Sequence, residues 1–89
     1  MKQDNGLLTD TARILERAYN LNPKDYEIIV ALGNLYFDLG YINKDNKQFQ
    51  KSREFYETAL QQRPADVDVR TDFGLTYFLE NPPQNEKAI

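Results

Sequence analysis

Leu32-Gly33-Asn34-Leu35-Tyr36-Phe37 is the stretch that decides the fold. A close copy of it returns 41 positions later as Phe73-Gly74-Leu75-Thr76-Tyr77-Phe78. Three further pairs share the offset of 41 residues: Leu15 with Tyr56, Ala18 with Ala59, and Pro23 with Pro64. Several pairs with one offset indicate an internal repeat. A repeat of this length is typical of a solenoid, in which each unit buries its apolar face by stacking on a neighbour.

Composition narrows the class of protein. The 89 residues suffice for one small domain, and 40% hydrophobic with 28% charged residues suits a soluble globular chain. The net charge of −3 argues against a nucleic-acid partner, which would call for a basic surface. No apolar run approaches the roughly 20 residues that span a bilayer, so membrane insertion is not expected. The start, Met1 to Gly6, lacks the apolar core of a signal peptide. The sequence does not identify the cellular compartment, although the cytoplasm is favoured.

Two residue types that serve most enzymes and metal sites are missing. The chain has no Cys and no His, which removes disulfides, thiolate ligands, the commonest metal ligand and the usual general base. We therefore expect neither an enzyme nor a cofactor.

Apolar residues at helical spacing predict four helices, and no segment shows the alternation of a strand. After a polar lead-in over residues 1–8, a helix with Asp10 as its N-cap is expected. Gly40 is expected to stop the second helix, residues 41–46 to form a loop, and residues 81–85 to form a turn before a fifth helix at 86–89. The predicted helices are Thr9–Leu21, Lys24–Leu39, Lys47–Gln62 (with Asp45 as an alternative start) and Asp66–Leu79. The fold class is all-α, built from antiparallel helical hairpins.

The order of landmarks resembles the tetratricopeptide repeat, a helix A–turn–helix B hairpin of about 34 residues. The matching residues are Leu32-Gly33, Tyr36, Gly40, Ser52, Tyr56, Ala59 and Pro64. The resemblance implies hairpins stacked as a fragment of a right-handed α-solenoid with a concave groove. It divides a single domain, residues 1–89, into a preceding helix B (9–22), one full repeat (24–63) and a partial repeat (65–89). The chain then looks like a piece of a longer array.

The period of 41 departs from that pattern, because it leaves about 7 extra residues near 41–51. They could form a longer loop or extend a helix, and the period alone would also suit a HEAT or armadillo repeat. Small residues at the repeated positions, Gly33, Ala59 and Gly74, are expected to let helices approach closely beside large tyrosines.

The resemblance and the helical spacing place the partner-binding residues on the two A-type helices. They are Glu27, Val30, Asn34, Phe37 and Asp38 in the first, and Asp68, Thr71, Asp72, Leu75 and Phe78 in the second. In several relatives an Asn at the position of Asn34 bonds the backbone of an extended peptide; otherwise it is a solvated polar residue. Phe37 and Phe78 could contact a ligand or lie buried between hairpins.

The charges suggest which partner would fit. One subclass of the family holds acidic tails with a clamp of Lys, Asn and Arg, and only Asn34 matches it here. Val30 replaces the Lys, and Asp68 and Asp72 would repel a carboxylate. A protein or peptide partner is thus expected to be basic or apolar.

Two other functions compete with a binding scaffold. Asp66, Asp68 and Asp72 could hold a cation or act in catalysis, although acidic residues are also expected at a helix start because of the helix dipole. Apolar residues on the end helices could instead mediate a homo-oligomer.

Overall fold

The computed structural model describes residues 5–80, which form four helices and no strand. The helices are α1 (Asn5–Leu21), α2 (Tyr26–Asn43), α3 (Asn46–Gln62) and α4 (Val67–Leu79). Short turns join consecutive helices, and the most extensive contact is between α2 and α3. The predicted all-α fold of helical hairpins is confirmed. The predicted turn at 81–85 and the fifth helix at 86–89 lie outside the described residues.

The helix bounds repeat with the same offset as the sequence. α1 covers residues 5–21 and α3 covers residues 46–62, and α2 and α4 begin at residues 26 and 67. Each pair is displaced by 41 positions, so the period is a structural one. Stacking into a right-handed solenoid stays a prediction.

The start of α1 differs from the prediction. Residues 5–8 are helical, and Leu8 packs against the core, which draws the helix further toward the N-terminus. Asp10 is therefore not an N-cap. It lies inside α1, where its carboxylate pairs with Arg13 at 3.1 Å.

The expected stop at Gly40 and the loop at 41–46 are wrong, because both neighbouring helices extend into that segment. α2 continues to Asn43, and Lys44 takes the left-handed conformation that ends it, with φ of 53°. Asp45 then caps α3 by accepting a hydrogen bond from the Lys47 amide at 3.0 Å. The extra residues thus lengthen the α2–α3 hairpin and leave a turn of two residues.

Gly40 has a packing role in this longer hairpin. A Cβ atom there would lie 2.9 Å from Cδ1 of Phe49, closer than carbon atoms approach. Gly33 is tighter still, since its Cβ would lie 2.6 Å from the Tyr56 ring. The close approach expected at Gly74 is not seen, because a Cβ there would meet nothing within 4 Å among the described residues.

Two apolar clusters form the core, and aromatic rings connect them. The first joins α1 to α2 through Ala12, Leu32, Leu35, Tyr36 and Leu39. The second joins α2, α3 and α4 through Tyr26, Ile29, Tyr56, Ala59 and Val69. Tyr19 and Phe55 pack against both clusters, with ring centroids 5.4 Å apart. Neighbouring helices thereby share one continuous core.

A nearly buried ion pair holds the end of α4 against α3. Nη2 of Arg53 lies 2.7 Å from Oε2 of Glu80, with the side chains 13% and 6% exposed. The Arg53 guanidinium also lies 4.4 Å from the Tyr77 ring centroid and donates to the buried hydroxyl of Thr76. These contacts fix the position of α4, the helix that carries half of the candidate site.

Candidate partner-binding surface

The candidate residues lie on two helices that are in direct contact, α2 and α4. We call this set the α2–α4 surface. It consists of Glu27, Val30, Asn34, Phe37 and Asp38 on α2, and of Asp68, Thr71, Asp72, Leu75 and Phe78 on α4.

Asn34 is exposed, and a residue of the core holds its side chain in one orientation. The hydroxyl of Tyr56 donates to Oδ1 of Asn34 at 2.6 Å. Tyr56 is only 1% exposed, so this bond anchors a surface amide on the core. With its oxygen occupied by Tyr56, the Asn34 amide presents its N–H donors to a ligand.

Acidic side chains from both helices converge beside Asn34. Burial raises the pKa of Asp72, and the nearby charges of Asp68 and Asp38 raise it further. Burial also raises the pKa of Asp38. The pKa of the Tyr56 hydroxyl is raised by burial and by the charges of Asp72 and Asp38. The Tyr56 hydroxyl is therefore bonded to Asn34 and lies within the electrostatic influence of Asp38 and Asp72.

The apolar candidates divide into two groups. Val30 and Phe37 are partly buried against the second core cluster, and the Phe37 ring meets Phe49 edge-on at 5.9 Å. Leu75 and Phe78 on α4 are 41% and 54% exposed. A ligand would find more apolar area on α4 than on α2.

Glu27, Asp68 and Thr71 are exposed near the starts of the two helices. Glu27 and Asp68 lie in the first turns of α2 and α4, where the helix dipole already favours a carboxylate. Their charges extend the acidic character of the surface toward the N-terminal ends of both helices.

Tyr56 is the residue that sequence reasoning missed. The repeat pattern suggested only a large side chain beside Gly33. A buried tyrosine hydroxyl requires a hydrogen-bond partner, and that requirement was the available signal.

Asp66 has a structural role. It is the N-cap of α4, where it accepts from the Val69 amide at 3.2 Å and from the Tyr26 hydroxyl at 2.5 Å. The Tyr26 bond lowers the pKa of Asp66, with the Val69 bond adding to it. Over residues 5–80, no group of three or more Asp or Glu side chains is arranged to hold a metal ion.

Comparison with known proteins finds no matching family, no matching curated protein and no matching solved structure. The tetratricopeptide resemblance therefore remains a prediction from the residues quoted above. None of the four described helices is long and apolar enough to cross a membrane.

Proposed function

We propose that this chain is a non-catalytic interaction scaffold, similar to a tetratricopeptide module, that binds a peptide or protein partner on the α2–α4 surface. The observation that supports this most is the Asn34 amide, which Tyr56 orients from the core beside acidic groups of two helices. Such an arrangement suits an extended chain, whose backbone carbonyl could accept from Asn34 while its side chains meet the flanking groups.

The partner is basic, with apolar side chains beside its positive charges. Burial and the charge of the nearby Asp68 raise the pKa of Asp72, and repulsion between Asp72 and Asp38 raises it further. A Lys or Arg placed between them would relieve that repulsion, whereas a carboxylate would add to it. The exposed parts of Leu75 and Phe78 supply the neighbouring apolar area.

A peptide array with equal numbers of basic, acidic and neutral sequences, each with and without apolar residues, tests the proposed specificity. Binding should concentrate on sequences that combine Lys or Arg with an apolar residue. Binding dominated by acidic sequences would overturn the proposal.

Two variants then test the surface itself, using the tightest peptide from the array. Asn34→Ala removes the amide, and Asp72→Asn removes one charge with little change in shape. Each should weaken binding about tenfold, because a neutral hydrogen bond such as that of Asn34 contributes roughly 0.5–1.5 kcal/mol and one to a charged group such as Asp72 roughly 1.5–3 kcal/mol. Asn20→Ala and Glu57→Gln, at exposed positions of α1 and α3, are the matched controls and should bind as the wild type does. Equal effects of the variants and their controls would exclude this surface.

A second candidate function is self-association through α1. Leu7, Ile14 and Leu21 follow one another at intervals of seven residues and are 67%, 66% and 83% exposed. A seven-residue interval places all three along one side of a helix, as in the seam between two packed helices. A second copy of the chain could cover that seam with its own α1.

Sedimentation velocity over a range of concentrations tests this alternative. Self-association predicts that the sedimentation coefficient rises with concentration and that Ile14→Glu abolishes the rise. Leu75→Glu, on the opposite end of the helix array, should leave it unchanged. A constant monomeric value would refute self-association.

A further inference from the structure

A cavity of about 340 Å³ lies on the far side of α2 from the α2–α4 surface residues, between α1 and α3. α1 and α3 both pack on α2 but their backbones do not contact each other. Tyr19 and Phe55 bridge them at one end. At the other end the two helices leave a space whose floor is formed by Ala12, Tyr36 and Leu39. Its volume falls in the range of small-molecule sites, about 300–1,000 Å³.

Charges of opposite sign line this cavity, and both contact Tyr36. Nζ of Lys51 lies 4.6 Å from the ring centroid, and Oε2 of Glu16 accepts from the Tyr36 hydroxyl at 2.5 Å. Lys51 and Glu16 do not pair with each other or with any other charged group among residues 5–80. Arg13, which also lines the cavity, is paired with Asp10 at 3.1 Å.

The same cavity is lined by a glutamine with a free acceptor. Nε2 of Gln48 donates to Asp45 at 3.4 Å, which fixes the orientation of the amide. Oε1 of Gln48 is buried and accepts no hydrogen bond from any described residue. A buried acceptor without a donor is costly, so a ligand that turned the Gln48 side chain toward the cavity and supplied a donor would be favoured.

We propose that this cavity binds a free α-amino acid with a large apolar side chain. The carboxylate would meet Lys51, the ammonium group would meet Glu16 and Gln48, and the side chain would lie on Ala12 and Leu39. An α-amino acid carries one charge of each sign on two groups bound to the same carbon, which matches a lysine and a glutamate that line one cavity beside Tyr36. A simple carboxylate or a simple amine would leave one of these charges without a partner.

Amide chemical shifts of the ¹⁵N-labelled chain, titrated with L-phenylalanine, test the proposal. Saturable shifts at Ala12, Tyr36 and Leu39 are expected. Two probes of similar size separate the contributions of the charges: 3-phenylpropionate lacks the ammonium group, and 2-phenylethylamine lacks the carboxylate. Each should bind at least about tenfold more weakly than phenylalanine. Absence of saturable shifts with phenylalanine, or equal affinity for either analogue, would overturn the proposal.

Variants locate the site. Lys51→Met keeps most of the side-chain length and removes the charge, and Glu16→Gln keeps an acceptor for the Tyr36 hydroxyl. Both should weaken phenylalanine binding about tenfold, with helicity by circular dichroism unchanged. Lys47→Met and Glu57→Gln, which are exposed and do not line the cavity, should bind normally. If the controls weaken binding as much as the cavity variants do, the cavity is not the site. The comparison of the three small molecules needs no variant, so it decides the proposal even if a variant fails to fold.

Discussion

Replacing the two repeat-related glycines by alanine should change stability in opposite directions. Gly33 and Gly74 occupy equivalent positions of α2 and α4, and alanine is the better helix former by about 1 kcal/mol at either site. Their surroundings differ, however. A Cβ at Gly33 would lie 2.6 Å from the Tyr56 ring, whereas a Cβ at Gly74 would meet no described atom within 4 Å.

The free-energy cost of adding a Cβ at Gly33 depends on how firmly α2 and α3 are held together there. Tyr56 is 1% exposed and bonded to Asn34, so its ring has little room to move. The backbone cannot retreat easily either, because the Ser52 hydroxyl donates to the Gly33 carbonyl at 2.7 Å. Overpacking costs about 1–3 kcal/mol, and straining the Tyr56 hydrogen bond costs about 1 kcal/mol. After the gain in helix propensity, Gly33→Ala should destabilise the fold by about 1–3 kcal/mol.

Urea denaturation followed by circular dichroism measures both variants. Gly33→Ala should lower the midpoint, and Gly74→Ala should raise it by the equivalent of up to about 1 kcal/mol. The m-value should stay constant, because the native state remains equally compact. Gly33→Leu should be more damaging than Gly33→Ala. A Gly33→Ala variant as stable as the wild type would refute the packing of Tyr56 on Gly33.

Three further predictions concern caps and charges. Asp25→Ala should cost about 1 kcal/mol of unfolding free energy, because Asp25 caps α2 through the amides of residues 27 and 28; Asp25→Asn should restore most of it. Arg53→Met should cost about 3 kcal/mol by leaving Glu80 buried without its partner, and a Glu80→Met change on top of it should recover part of that loss. Burial and nearby carboxylates raise the pKa of Asp72 above its ordinary 3.8. The ionised Asp72 side chain therefore opposes folding above its folded-state pKa. This free-energy penalty disappears as the pH falls through that value. Asp72→Asn should therefore stabilise the fold at neutral pH but not at a pH below 3.8, as measured by thermal unfolding at both; equal stabilisation at both pH values would contradict the assignment.

The fold was predictable because local and repeated signals agreed. The Asp-capped starts of α3 and α4 were predicted within one residue, and the start of α2 was predicted two residues early. The end of α2 was not predictable in the same way. Gly40 after Leu39 has the local appearance of a helix stop, but its role depends on Phe49, which lies across the hairpin. Lys44 ends the helix in a left-handed conformation that few non-glycine residues adopt, so no local signal marks it.

The candidate site was predictable only as a set of surface positions. Helical spacing and the family resemblance together predicted Asn34, Asp38 and Asp72 as partner-binding residues, but the anchoring of Asn34 by Tyr56 is a contact between α2 and α3. The difference in exposure between Phe37 and Phe78 also depends on tertiary packing. Phe37 has Phe49 beside it, whereas Phe78 is 54% exposed. Equivalent residues in a repeat thus differ because their neighbours differ.

The central claim is that the chain binds a basic partner on the α2–α4 surface. A titration of the ¹⁵N-labelled chain with the tightest basic peptide from the array, followed by amide chemical shifts, tests it most directly. The largest changes should fall at Asn34, Asp38, Asp72 and Leu75, with little change at Leu7, Ile14 or Leu21 on α1. Changes concentrated on α1, or none at a peptide concentration that saturates binding, would contradict the claim.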